Sequence, residues 1–351
     1  LFMLPFIKKQ LVIIVTALTF CLAGPATHGR AAAKAETLSG RTMGTTYSIK
    51  MGERAGVYTA GLAVAISGQL KRINTQMSTY QTDSEISRFN QLDKLGVAIT
   101  VSPEFWTVMQ TGNDLHALTE GAWDGTVFPL ITLWGFNAPN GPGAVPETDQ
   151  ITAVKRHIGW HLSDSGVPQH LGTEESAVQL DLASIAKGFA VDRITALLRE
   201  RRIPNFLVEI GGEIYAAGVR KDGNPWRVGI SRPVPGAAPG DVYLALWLTD
   251  RALATSGDYR IFTAVDGRRY SHILDPRNGF PVNNGIVSVS IVARDCIMAD
   301  GLATGIMVMG VEVGLNLINR LPEVEGLLVV RSSNGTLTNH VSTGFEAFFN
   351  H

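Results

Sequence analysis

The sequence predicts an α+β fold, and three observations carry the prediction. Strand-like runs follow one another across very short turns, as in Phe206–Ile210, then Gly211-Gly212, then Glu213–Ala217. Helical spacing is confined to a few segments grouped between those runs instead of alternating with each strand. No repeat at solenoid spacing and no low-complexity tract interrupts the pattern.

Residues 42–51 alternate in the manner of one strand, with Gly44 as a point of close backbone approach. Residues 57–73 set Leu62, Ile66, Leu70 and Ile73 on one helical face. Pro103 opens a second helix through Phe105, Trp106, Met109 and Leu115, which ends near Gly121. Residues 136–148 are rich in Pro, Gly and Asn without periodicity and read as a surface loop. A helix beginning near Ser184 buries Ile185, Phe189, Ile194, Leu197 and Leu198. Strands follow over 206–210, 213–217, 226–230 and 242–248, and over 286–292 after a turn-rich loop. Helices over about 295–309 and 313–320 then precede strands near 327–330 and 336–340.

The chain has 351 residues, enough for a large core in one domain or two. Thirty basic residues balance 31 acidic ones, and this leaves no electrostatic footprint for nucleic acid. Eight scattered histidines, without HExxH or paired-cysteine spacing, argue against a transition-metal site. Residues 1–35 read as an export segment and 36–351 as the functional domain. Lys8 and Lys9 precede an apolar run from Leu11 to Ala23, shorter than the roughly 20 residues of a bilayer span. Ala31-Ala32-Ala33-Lys34-Ala35 then offers cleavage sites. A lipid anchor at Cys21 is the second reading, although Phe20 stands where lipidation requires a small residue, and an uncleaved signal is the third. The expected location is periplasmic. Cleavage would leave Cys296 as the one cysteine, in an apolar helical stretch where a buried, inert thiol is the ordinary reading.

Three segments carry candidate chemistry. Ser271-His272-Ile273-Leu274-Asp275-Pro276-Arg277-Asn278-Gly279 packs an imidazole and a carboxylate into a stiff, turn-rich loop, because Pro276 fixes its own φ and restricts Asp275. Asp181-Leu182-Ala183-Ser184-Ile185-Ala186-Lys187-Gly188 lies at a strand-to-helix junction, where free N–H groups suit a diphosphate. Lys187 can add positive charge there and exposed carbonyls can ligate a cation, while plain N-capping by Asp181 or Ser184 explains the same residues. Asp300 and Thr304 share a helix face among small neighbours. Both can reach one magnesium ion, or they form a solvated notch. Tyr80 and Trp123 suit stacking on a flat heterocycle, though burial in the core is the commoner fate of such side chains.

These segments resemble the ApbE family of flavin transferases. The resemblance runs through Arg41–Tyr47, Met77–Tyr80 with Ser84–Asn90, Trp123–Val127 with Pro129-Leu130, Asp181–Asp192, Glu209–Glu213, the His272 loop, Ala299-Asp300 and Ala303-Thr304. It implies a T-fold-like α+β architecture with FAD in a cleft, contacted by Met43, Tyr80, Ala122, Trp123, Asp124, Asp181, Lys187 and Leu274. It also implies magnesium on Ser184 (through its carbonyl), Asp300 and Thr304, with His272 as the base. The implied reaction transfers FMN from FAD to a Thr or Ser hydroxyl and releases AMP. Expected acceptors carry an S/T-G-A-T-like motif on exported loops of membrane respiratory flavoproteins, such as sodium-pumping quinone reductases, Rnf-type complexes and NosR-like proteins. FAD hydrolysis to FMN and AMP, or FAD binding and delivery without chemistry, are the competing readings.

Overall fold

The computed structural model describes residues 36–52, 61–92, 98–138, 144–160, 162–164, 168–173, 178–238, 240–258, 262–265 and 268–349. The proposed export segment, with Cys21, and the start of the 57–73 helix lie outside the described residues. The frame is an eight-stranded sheet built entirely from antiparallel pairs. Its strands are β1 (Glu36–Thr42), β2 (Thr45–Met51), β6 (Phe206–Ile210), β7 (Glu213–Ala217), β10 (Arg251–Gly257), β13 (Ile286–Ala293), β14 (Glu325–Arg331) and β15 (Leu337–Val341), and they lie side by side in that order. Short strands β3 (Ile99–Thr100), β4 (Leu162–Asp164) and β5 (His170–Thr173) form a separate three-stranded sheet. Two hairpins stand apart, β8 (Trp226–Ser231) with β9 (Val242–Leu248), and β11 (Phe262–Val265) with β12 (Arg268–Ser271).

Helices fill the long connection between β2 and β6. They are α1 (Leu62–Met77), α2 (Glu85–Asn90), α3 (Pro103–Leu118), α4 (Phe128–Trp134), α5 (Thr148–Lys155) and α6 (Ala183–Glu200). Helices α7 (Cys296–Met309) and α8 (Val311–Ile318) follow β13. Local chemistry sets their ends. Ser84 and Ser102 cap α2 and α3 by accepting the N–H groups of Ser87 and Phe105, and Pro103 occupies the first turn where a missing N–H costs nothing. No described helix is long and apolar enough to cross a membrane.

Every residue of β13 is buried, because both faces of the sheet are covered. One face meets α6 and α7 through Val289, Ile291, Ile185 and Ile306, and the other meets the β8–β9 hairpin and Phe345 through Val292, Val228 and Leu246. Gly188 marks the closest approach of α6 to α7, since a Cβ there would fall 2.4 Å from the Cys296 carbonyl oxygen. Asp192 ties the same two helices by accepting the N–H groups of Cys296 at 2.8 Å and Ile297 at 2.9 Å. Cys296 itself is fully buried, and burial raises its thiol well above the ordinary range.

Several elements differ from the sequence prediction. The 42–51 strand is two strands, because Met43 (φ 48°) and Gly44 (φ 71°) form a two-residue hairpin turn with both residues left-handed. Met43 supplies none of the usual turn chemistry, which hides the turn from a pattern reading. The irregular stretch 136–148 is flanked by α4 and α5, both too short to show a full periodic face. Strand β10, rich in Ala, Thr and Ser, lacks the bulky β-branched alternation that marks its neighbours.

Candidate functional site

One end of the large sheet opens into a cavity of about 1120 Å³, formed where the Met43-Gly44 turn, the Gly211-Gly212 turn and the end of β10 meet the first turn of α6. All twelve residues singled out in the sequence line it: Met43, Tyr80, Ala122, Trp123, Asp124, Asp181, Ser184, Lys187, His272, Leu274, Asp300 and Thr304. A smaller hollow of about 230 Å³ beside Trp134 and Pro146 has no charged side chain in its wall.

The charged centre spans three elements. Asp300 on α7 is 2 % exposed, and its Oδ2 accepts the backbone N–H of Gly188 at 3.0 Å. Lys187 on α6 places Nζ 3.7 Å from Asp300 Oδ2 and 3.4 Å from Glu213 Oε1 at the start of β7. Burial pushes the Asp300 and Glu213 carboxyls up, and the Lys187 charge pulls against it. For Lys187 burial favours the neutral amine, but the two carboxylates outweigh it and raise its pKa, so it stands as an ammonium. Glu213 Oε2 is buried without a hydrogen bond. Glu213 lay in a segment that carries the family resemblance but was given no role there; a carboxylate opening a strand straight after a Gly-Gly turn was the available signal.

Around this centre the hydroxyls are held in place. Thr304 Oγ1 lies one turn beyond Asp300 and 2.8 Å from Ser256 Oγ on β10. Ser184 Oγ accepts the indole N–H of Trp123 at 2.9 Å. The small neighbours of Asp300 serve helix packing: Gly301 faces Leu115 and Gly305 faces Thr119, both on or just after α3. Capping of α6 falls to neither Asp181 nor Ser184 by position, because Leu182 is the capping residue; Asp181 Oδ1 nevertheless accepts the Ala183 N–H at 2.8 Å. Desolvation raises the Asp181 carboxyl against the pull of that N–H and of Lys187.

The aromatic residues divide. Trp123 is 2 % exposed and braces the site, whereas Tyr80 is 84 % exposed at the rim, contrary to the core position expected by default. Asp124 is buried, its Oδ1 taking the N–H and hydroxyl of Thr126 and its Oδ2 lying 3.5 Å from His116 Nε2. His116 had no sequence signal. In the His272 loop, Asp275 receives the Arg277 guanidinium at 2.9 and 3.0 Å and the Arg277 backbone N–H at 3.0 Å. The Gly279 N–H closes the turn onto the Asp275 carbonyl at 2.7 Å. The Asp275 carboxylate is thus committed to the loop, and the half-buried His272 is the titratable side chain that the loop brings to the cavity.

Among the described residues no group of three or more His, Cys, Asp and Glu side chains is placed to hold a metal. A cation at Asp300 would therefore draw on one carboxylate, the Thr304 hydroxyl, the Ser184 carbonyl and oxygens from substrate or water. That mixed set of hard oxygens fits magnesium, which keeps waters and substrate phosphates among its ligands. In a regular helix the Gly188 N–H points at the Ser184 carbonyl, so its bond to Asp300 brings that carboxylate beside the same carbonyl.

The model of the ApbE family matches residues 43–328. An FAD:protein FMN transferase of Vibrio cholerae is 41% identical over 313 residues, covering 89% of this chain and 92% of the relative. One from Haemophilus influenzae is 35% identical over 314 residues, covering 88% and 90%. Among solved structures, the flavin transferase ApbE of Vibrio cholerae superposes with a TM-score of 0.81 at 41% identity, over 90% of this chain and 99% of that one. The apo form of the Pseudomonas stutzeri flavinyl transferase ApbE gives 0.79 at 36% identity, over 91% and 98%. These relatives share the α+β architecture described above, and on this breadth of likeness the chain belongs to the ApbE family.

Proposed function

We propose that this transferase moves the FMN portion of FAD onto a Thr or Ser hydroxyl of an exported acceptor protein and releases AMP. The observation that carries the reading is the gathering of Lys187, Asp300, Thr304, Ser184 and His272 around one cavity large enough for a dinucleotide. The names of the relatives, FAD:protein FMN transferases, supply the donor and the class of acceptor.

The acceptor oxygen forms a bond to the FMN-side phosphorus while the bond from that phosphorus to the AMP oxygen breaks. A hydroxyl is a weak nucleophile, so His272 takes its proton as the new bond forms. Lys187 neutralises charge near the diphosphate, and Met43, Tyr80, the Ala122–Asp124 turn and Asp181 contact FAD, with Tyr80 against the isoalloxazine. Magnesium on Ser184, Asp300 and Thr304, when bound, offsets the negative charge of the diphosphate. The acceptors carry an S/T-G-A-T-like motif on respiratory membrane flavoproteins of the Nqr, Rnf or NosR type, and the enzyme works in the periplasm after export.

The test is incubation with FAD, magnesium and an acceptor domain, followed by intact-mass analysis. A gain equal to FMN less water on the acceptor supports the proposal. FMN and AMP without that gain would make the protein a hydrolase, and unchanged FAD would make it a binding protein. Either outcome overturns the proposal.

A further inference from the structure

We propose that Lys187 is the counter-ion of Asp300 in the metal-free site, and that Glu213 is the positioning residue that receives its ammonium when a divalent cation takes that place. This rests on the magnesium reading above and deepens it, by assigning roles to two residues outside the ligand set.

The geometry points to an exchange. The Lys187 ammonium has three acceptors within reach: Asp300 Oδ2 at 3.7 Å, Glu213 Oε1 at 3.4 Å and the Ala183 carbonyl at 3.4 Å. The Asp300 and Glu213 side chains are 3 % and 4 % exposed, so each would be costly to leave without a nearby cation. One ammonium serves both. A dication at Asp300 would repel the ammonium, because like charges oppose each other strongly in a poorly solvated site.

Glu213 gives the displaced group a berth. Its Oε1 is already the nearer carboxylate oxygen, and its Oε2 is buried without a hydrogen bond, a vacant acceptor in the wall of the cavity. A lysine ammonium has three donors on a flexible stem, so a small rotation frees Asp300 and keeps the ammonium on Glu213 without moving α6. Were Glu213 neutral, the ammonium would stay on Asp300 and compete with the metal.

The experiment is a Mn²⁺ titration of the flavin-free protein, with free Mn²⁺ read by electron paramagnetic resonance and Mg²⁺ as competitor. Wild type, Glu213→Gln, Lys187→Met and the double variant are compared, each first checked by its melting temperature. Leaving out FAD separates this test from transfer activity: an acceptor that fails to gain mass counts against the function and leaves the metal affinities readable. Glu213→Gln is expected to weaken Mn²⁺ about tenfold or more, and Lys187→Met to tighten it. In the Lys187→Met background, Glu213→Gln should cost no more than a few-fold, because no ammonium remains to be housed. An equal loss in both backgrounds would mean that Glu213 acts through its own charge alone. That result, weaker binding by Lys187→Met, or no Mn²⁺ uptake by the wild type overturns the proposal.

Discussion

The backbone N–H of Gly188 donates to Asp300 Oδ2 at 3.0 Å, joining the first turns of α6 to the middle of α7. The proposed metal set is divided between the two helices, Ser184 on α6, and Asp300 with Thr304 on α7. The bond therefore fixes the distance on which the whole set depends.

Asp300→Asn is the informative substitution at this point, since the amide oxygen can still accept the Gly188 N–H while the charge is lost. Transfer is expected to fall by about 10²-fold or more, with the melting temperature within a few degrees of wild type. Near-normal transfer in this variant, or wild-type activity indifferent to EDTA, would remove magnesium from the account.

His272→Ala should keep FAD affinity within a few-fold and lose about 10²–10⁴-fold in single-turnover transfer, because a base acts in the transition state. Asp275 is a poor substitute for that role, with Arg277 and the turn occupying its carboxylate. Fluorescence quenching beside rapid-quench kinetics separates binding from chemistry. Affinity and thermal stability falling in step with the rate would assign His272 to loop structure.

Gly188→Ala forces a methyl group against the Cys296 carbonyl, where a Cβ would lie at 2.4 Å. Overpacking of this kind costs about 1–3 kcal/mol, and here the contact is with backbone that cannot rotate away. Urea unfolding should show that loss, and transfer should fall further than stability because the two halves of the site move apart. An unchanged denaturation midpoint would contradict the close approach.

Asp192 gives a pH-dependent contribution to stability. Burial raises its carboxyl to about 7, although the Ile297 and Cys296 N–H groups favour the charged form. The folded state thus binds a proton that the unfolded chain, with an Asp pKa near 3.9, has released. Stability from this group falls as pH rises from about 4 to about 7 and then levels off. Melting curves across that range should converge or cross between wild type and Asp192→Asn, whereas parallel curves would show that Asp192 titrates normally.

Much of the architecture was legible because bulky, alternating strands announce themselves. Phe206–Ile210, Glu213–Ala217 and Val242–Leu248 stand where their patterns put them. What the pattern concealed was set by tertiary contact. Strand β10 is written in small and hydroxylated residues because it must pass beneath α7 and offer Ser256 to Thr304. The turn at Met43 holds a non-glycine residue at positive φ, which the surrounding hairpin imposes. Among the residues lining the cavity, Asp300 was readable as a polar exception in the apolar α7, whereas Met43, Ala122 and Leu274 came from the family resemblance. Glu213 and His116 were not readable, because their significance lies in partners 26 and 8 residues away, Lys187 and Asp124, whose proximity only the folded chain reveals.

In the large sheet, β1, β2, β6, β7, β10, β13, β14 and β15 lie in the order in which they are synthesised. Each new strand can therefore be laid against the edge left by the one before, with no earlier strand displaced. The cavity matures on a different schedule. Along the chain its wall gains the Met43 turn first and Asp300 and Thr304 last, after six of the eight strands have been synthesised. The strands of the scaffold are thus mostly synthesised before the chain contains all the residues of a centre able to act on a dinucleotide.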